Sequence, residues 1–260
     1  MAVPERATAT RPGRTDNWIL SALSDAERAR LQPALERVSL RARDILFDVD
    51  RPIEHVYFPR EGCVVSIVSL TPDGSAVETA TVGREGMVGL PVFLEADHAT
   101  ARAFCQMAGD AFRLRADVLR RELASGGKLR SLLGRYTQAY ITQVAQTSAC
   151  NRLHTMRERC ARWLLHVHDR VGADQFALTQ RFLSQMLGVR RATVTEAAQA
   201  LHQAGLIDYV HGHVVIRDRC GLERASCQCY AIIRRDCERL LLGPTPPTAL
   251  DEARLSAAGD

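Results

Sequence analysis

Residues 178–207, LTQRFLSQMLGVRRATVTEAAQALHQAGLI, hold two short helical patterns parted by one glycine, and that spacing leaves few ways to fold locally. Thr179 stands where an N-cap is wanted, and Leu183, Met186 and Leu187 then recur on one helical face. Gly188 ends the first helix, because a sharp turn between helices needs the left-handed backbone that glycine adopts freely; Val189 then tucks between them. In the second pattern Val194, Ala197, Ala198 and Leu201 form an apolar face, leaving Arg190, Arg191, Thr193, Thr195, Glu196 and Gln199 on or near the other. That outer face is built of hydrogen-bonding groups able to reach base edges and phosphates in a major groove. Thr179 and Gln180 are expected to hold phosphates, while Arg191, Thr195 and Glu196 read bases. Residues 208–217, DYVHGHVVIR, follow as two β-runs around His211-Gly212-His213, the form of a wing. An ordinary helical hairpin would explain the apolar faces and the glycine, but not a polar outer face and a wing together.

Upstream, residues 1–16 have no period and predict a disordered tail. Trp18, Ile19, Leu20 and Leu23 begin a helical lead-in, with Ser24 and Glu27 spaced as a capping box. Between Val38 and Leu114 the chain breaks into short β-branched and aromatic runs, among them residues 44–47, 55–58 and 62–70, which imply a barrel or roll. Arg60-Glu61-Gly62 and Pro72-Asp73-Gly74 are tight turns, the second closing a hairpin between residues 64–70 and 76–82. Gly83, Gly86 and Gly89 either admit a ligand phosphate or simply turn corners. Residues 116–123 make a short helix. Leu129, Leu133, Tyr136, Tyr140, Val144 and Thr147 then mark one stripe of a long helix, in steps of three and four. Packing on the roll would use that spacing; pairing with a second copy is the sharper reading, since two recognition helices on a two-fold axis read two half-sites. Asn151 is expected to break the run, residues 152–171 to open the second domain, and residues 221–242 to form one more helix stopped by Gly243-Pro244.

The 260 residues suffice for two modest domains, and 46% hydrophobic with 25% charged content fits a globular protein. A net charge of +4 permits nucleic-acid binding without arguing for it, so the motif must carry that reading. No apolar run reaches the length of a membrane span, and a cytoplasmic location is expected. The eight cysteines are then read as free or metal-binding thiols. Cys220, Cys227, Cys229 and Cys237 cluster in sequence, but on one continuous helix Cys227 and Cys229 would point about 200° apart. They are therefore expected to be buried or spectator thiols, with no metal site. His166 and His168 diverge in the same way, and the histidines are expected to be solvated or near DNA rather than ligands. No Ser/His/Asp set, carboxylate pair or phosphate loop is present, so neither an enzyme nor a bound cofactor is expected.

A short-stranded roll, a long helix and a winged helix-turn-helix, in that order over about residues 17–219, resemble the cyclic AMP receptor protein and fumarate-nitrate regulator (Crp/Fnr) superfamily of bacterial transcription factors. The segments carrying the resemblance are the 178–207 motif, VYFPREGCVVS, PDG and VGREGMVGL. It implies an α+β chain: a cyclic-nucleotide-binding-like β-roll (jelly roll) over 17–126, a dimerisation helix over 127–151, and a winged helix-turn-helix over 152–219. A cysteine-containing C-terminal helix and tail take 220–260. It also implies a homodimer on double-stranded DNA, with RNA polymerase as a partner and a small-molecule effector as the signal. The dimer would form through Leu129, Leu133, Tyr136, Tyr140 and Val144. Cyclic-nucleotide-binding members carry a glycine-glutamate-leucine step and an arginine before serine or threonine; here Gly86-Met87-Val88-Gly89-Leu90 and Ala99-Thr100 stand instead. The ribose carboxylate and the phosphate arginine are both missing unless Arg102 substitutes, and a buried phosphodiester without a cation is unfavourable. Gly86, Val88, Thr100, Arg102, Tyr136 and Tyr140 thus outline a pocket for an effector other than cyclic AMP. In the recognition helix Arg191 is kept, but Ala192 replaces a base-reading glutamate and Glu196 an arginine, so the operator should differ. The iron-sulfur chemistry of fumarate-nitrate regulators is disfavoured, because no cysteine precedes Cys63. Two rival functions are a ligand-binding module whose C-terminal half serves protein contacts, and a thiol or metal redox sensor on the same scaffold.

Overall fold

The computed structural model describes residues 17–243 apart from 73 and 211. The tail expected over 1–16, the centre of the Pro72-Asp73-Gly74 turn and His211 lie outside the described residues. The lead-in is two helices, α1 (Trp18–Ser21) and α2 (Asp25–Leu31), the second starting in the expected Ser24/Glu27 capping box. Asn17 fixes this segment to the rest: its carboxamide oxygen caps α1, and its Nδ2 donates to the carbonyls of Pro59 and Gly86 at 3.0 and 2.8 Å.

The roll contains β1 (Glu36–Leu40), β2 (Ile45–Phe47), β3 (His55–Pro59), β4 (Val64–Leu70), β5 (Ala76–Val82), a one-turn helix α3 (Leu90–Phe93), β6 (Arg102–Met107) and β7 (Gly109–Arg115). They form two antiparallel sheets, ordered β1-β7-β3 and β2-β6-β4-β5. Gly62 closes a turn in which Cys63 N–H donates to the Arg60 carbonyl, and its φ of +88° is one that only glycine adopts cheaply. The apolar sides of both sheets enclose one core with Ile19, Leu31, Phe58, Val65 and Leu114.

Helix α4 (Ala116–Ala124) leads to α5 (Lys128–Leu153), whose 26 residues make it the longest element among the described residues. Glu27 caps the start of α5 by accepting from Leu129 N–H at 3.0 Å, so a carboxylate sits at the positive end of the helix. The run is not broken at Asn151. It continues to Leu153, and α6 begins only at Met156, because Thr155 and Glu158 form a capping box that nucleates a separate helix (Met156–Val171). The stripe chosen for dimerisation is also corrected. Leu129, Leu133 and Tyr136 are buried within this chain, and Tyr140 and Val144 pack partly buried on the same core. The roll, one connection away in sequence, covers that stripe without the cost of bringing in a second molecule.

Beyond α6, β8 (Gln175–Ala177), α7 (Gln180–Met186), α8 (Arg191–Gln203), β9 (Ile207–Val210) and β10 (His213–Ile216) complete the second unit, its sheet ordered β8-β10-β9. The single helix expected over 221–242 is two: α9 (Arg219–Ala225) and α10 (Cys229–Leu242). Ser226 is extended between them (φ −82°, ψ 160°), and this interruption removes the premise that Cys227 and Cys229 diverge. Helix α10 returns along α5, placing Leu241 in the roll core and Thr142 Oγ1 2.8 Å from Asp236. No described helix is long and apolar enough to cross a membrane.

Candidate nucleic-acid interface

Helices α7 and α8 meet through a turn whose backbone follows from its residues. Thr179 caps α7 by accepting from Phe182 N–H, Gly188 takes φ +64°, and Val189 N–H donates back to the Ser184 carbonyl at 3.0 Å. Leu183, Val194 and Leu201 are fully buried, with Met186, Ala197 and Ala198 beside them, so the two apolar faces share one core with Leu164, Leu165, Phe176 and Val214. Arg190, Arg191, Glu196 and Gln199 are exposed, and Thr193 and Thr195 are half-buried. Neither Arg190 nor Arg191 has a partner among the described residues. Thr195 is engaged: its hydroxyl lies 2.8 Å from Gln180 Oε1 and 3.0 Å from the Arg191 carbonyl, linking the first turn of α8 to α7. The wing strands β9 and β10 pair in register from Ile207↔Ile216 to Val210↔His213, and His213 is exposed near the tip.

The first helix of the motif also touches the roll. Phe182 stands edge-on to Phe104 of β6 at 6.2 Å and to Trp163 of α6 at 6.5 Å. A Cβ on Gly188 would come within 2.9 Å of Val77 of β5. Thr179, Arg181 and Gln185 line a groove of about 420 Å³ against Arg43, Ile45, Arg102 and Phe104 of the roll. Thr179 therefore faces this groove.

The six residues outlined as an effector pocket do not enclose one. Gly86 and Tyr136 are in contact, so that any side chain on Gly86 would collide with the tyrosine ring. Val88 bridges Tyr57 in the core and Thr100 is exposed. Tyr140 stands beside Tyr136 at 6.3 Å. Arg102 is held by both oxygens of Asp48, at 2.9 and 2.8 Å, so its charge is already matched. The segment leading to Gly86 is occupied from the side by α6 as well: Arg170 Nε donates to Glu85 at 2.9 Å, its other nitrogens to the carbonyls of His166 and Thr81.

These contacts belong to a buried polar seam between the units that sequence reasoning missed. Glu78 of β5 accepts from Trp163 Nε1 at 2.7 Å and from Ser66 Oγ at 2.6 Å. Burial pushes its carboxyl up to about 7, against the pull of those bonds and of Arg162 and Arg170. His166, expected to be solvated, is instead packed against Tyr230 at 5.3 Å, and burial, with three arginines nearby, holds it well below the usual imidazole range. The signal available in the sequence was a helix α6 polar on both flanks of its apolar stripe; nothing there says that the flanks face a second unit. A second missed set, Cys150, His154, Cys227 and Cys229, converges where α5 meets α6.

Two family models match the chain: the cyclic nucleotide-binding domain over residues 37–125, and the Crp-like helix-turn-helix domain over residues 158–225. No curated protein sequence matches it. Among solved structures, FixK2 from Bradyrhizobium japonicum is similar with a TM-score of 0.64 at 21% identity, covering 74% of this chain and 98% of its own. A putative regulator of the crp/fnr family from Eubacterium rectale gives 0.63 at 14% identity, with 78% and 94% covered. CLP of Xanthomonas campestris, a regulator described as c-di-GMP responsive, gives 0.61 at 17% identity, with 75% and 100% covered. At these identities the likeness is one of fold.

Proposed function

Because the chain belongs to the Crp/Fnr superfamily, and is a transcriptional regulator of that type with a helix-turn-helix DNA-binding domain, we propose that it reads a two-fold operator as a homodimer. The observation that carries this reading is the division of α8: an apolar face buried in its own unit, and an opposite face presenting Arg190, Arg191, Glu196 and Gln199 to solvent. In this reading Arg191 donates to guanine O6 and N7 and Glu196 accepts from cytosine N4. Arg190, Thr193 and Gln199 hold the neighbouring phosphates and bases. Thr195 and Gln180 fix the angle between the two helices instead of reading bases directly, and Thr179 acts as the cap. RNA polymerase is the expected protein partner.

The second copy meets the face of α5 that the roll leaves open. Gly134, Gln138, Ile141, Ala145 and Ser148 are all exposed and recur in steps of four and three, with Ile141 54% exposed in this single chain. The effector is placed in the groove between the roll and α7. Its volume is that of a small-molecule site, it touches both units, and the Arg43 and Arg181 side chains on its rim favour an anion. A ligand seated there biases the position of α7 directly.

Recovery of bound fragments from a genomic library is expected to return a palindrome with half-sites about one helical turn apart, lost in Arg191→Ala/Glu196→Ala. Salt-sensitive binding without a motif would count against the reading. Light scattering is expected to give a dimer that Ile141→Arg converts to a folded monomer; an unchanged dimer would move the interface elsewhere. Anionic metabolites that stabilise the chain in a thermal-shift screen should lose their effect in Arg181→Ala.

A further inference from the structure

The four donors at the joint between the units form a constellation that DNA reading does not use. Cys150 lies in the last turn of α5 and His154, four residues on, is its C-cap. Cys227 comes from the break between α9 and α10, and Cys229 opens α10. The three sulfurs and the imidazole nitrogen all lie within 4.8 Å of one another. Cys150 Sγ is 3.3 Å from Cys227 Sγ, and Cys229 Sγ is 3.7 Å from His154 Nδ1. A tetrahedral ion with zinc–sulfur bonds of ~2.3 Å and zinc–nitrogen bonds of ~2.0 Å sets its donors roughly 3.5–3.8 Å apart. The set therefore has the dimensions of a site for one ion. Ligands of a polynuclear cluster stand on different metals and spread further.

A second observation comes from the charges around it. Arg162 is 5% exposed and its Nε has no hydrogen-bond partner among the described residues; its charge acts on all three thiols. Arg159 also carries an Nε without such a partner, while its terminal nitrogen donates to the Leu187 carbonyl at 2.8 Å. A divalent ion with three thiolates and a neutral imidazole carries one net negative charge, and that anion is the counterpart these guanidiniums need when buried.

We propose that Cys150, His154, Cys227 and Cys229 bind one zinc-type divalent ion in a tetrahedral three-cysteine, one-histidine site. The ion fastens the α9–α10 extension to the joint between the long helix and the DNA-binding unit. His154 is the C-cap of α5 and the next residue, Thr155, is the N-cap of α6, so the ligands grip the residue about which the two units would pivot. Arg159 then runs from the site to the end of α7. The inference rests on side-chain geometry alone and does not depend on which operator is read.

The test uses the full chain, purified with thiol protection and without chelator. Elemental analysis is expected to find one zinc per chain. Anaerobic exchange with Co²⁺ should give the intense visible bands of a tetrahedral ion and a sulfur-to-cobalt charge-transfer band. Cys150→Ala and Cys229→Ala should lose the ion, whereas Cys220→Ser and Cys237→Ser should keep it. His154→Cys serves where an alanine variant fails to fold: it should retain the metal and shift the cobalt spectrum. A folded wild-type chain that takes up no zinc would overturn the proposal. So would metal that survives both alanine variants, a His154→Cys cobalt spectrum identical to wild type, or a Cys150–Cys227 disulfide in the protein as isolated.

Discussion

Helices α6 and α8 lie in the same unit, share one core and both carry arginines, yet the arginines have opposite fates. Those of α8, Arg190 and Arg191, are exposed and unmatched among the described residues. Of the four on α6, Arg157 is exposed and Arg159 half-buried, but Arg162 and Arg170 are 5% and 8% exposed and face the roll. Helix α8 packs its apolar side on α6, α7 and β9 of its own unit and has water on the other, whereas α6 is wedged between two cores and its polar residues form the wall between them. The polar side of a helix is thus a working surface only where nothing else in the chain covers it. On α6 the same chemistry becomes an internal fastening, in which each charge must find a partner.

The largest test of that contrast is Arg170→Met. It leaves Glu85 buried, with the Gly83 N–H as its remaining donor, and should cost about 3–5 kcal/mol of stability in urea unfolding. Adding Glu85→Gln should recover part of the loss, because no uncompensated charge then remains. If Arg170→Met were as benign as a surface substitution, the α6 arginines would not differ from those of α8.

Glu78 sharpens the comparison through pH. Its carboxyl stays protonated in the folded chain up to about 7, but ionises near 4.5 when unfolded. Between those values the native state holds the extra proton, so this group's contribution to stability falls as pH rises and is level above pH 7. The slope is about 1.4 kcal/mol per pH unit, and the whole effect is on the order of 3 kcal/mol. Glu78→Gln keeps an acceptor for Trp163 and removes the ionisation. Its stability relative to wild type should therefore climb from pH 5 to pH 7 and then hold, as read from denaturant midpoints. Parallel curves would mean that Glu78 is ionised throughout.

On α8 the expected effect is on binding alone. Arg191→Ala should weaken operator binding by about 1–3 kcal/mol at fixed salt, measured by fluorescence anisotropy, with the melting temperature unchanged. A matching loss of stability would show that this side chain, too, has an internal partner.

The contrast also explains which parts were legible in the sequence. Periodicity and turn chemistry are local, so the α7–Gly188–α8 turn, the wing, the β4–β5 hairpin and the Ser24 capping box could be read directly. What α5 packs against could not, because Leu129, Leu133 and Tyr136 suit a roll or a second helix equally well. The break at Ser226 was hidden, since no proline or glycine marks it. The joint donors were half visible: Cys150 and His154 have ligand spacing on a helix, but their partners are 77 residues away in sequence for the Cys150–Cys227 pair. The angle between Cys227 and Cys229 on one continuous helix says nothing about them once Ser226 interrupts it.

The smallest expected effect is none at all. Where cyclic-nucleotide-binding relatives would seat a phosphate, Tyr136 fills the space beside Gly86, Arg170 occupies Glu85, and Arg102 is matched by Asp48. A ligand at a hundred times its Kd stabilises a protein by about 2.7 kcal/mol, enough for a rise of several degrees in melting temperature. Millimolar cyclic AMP should produce no such rise. Tyr136→Ala makes room but supplies no cation, so it should stay silent as well. A response from wild type would mean that the roll accepts the nucleotide without either.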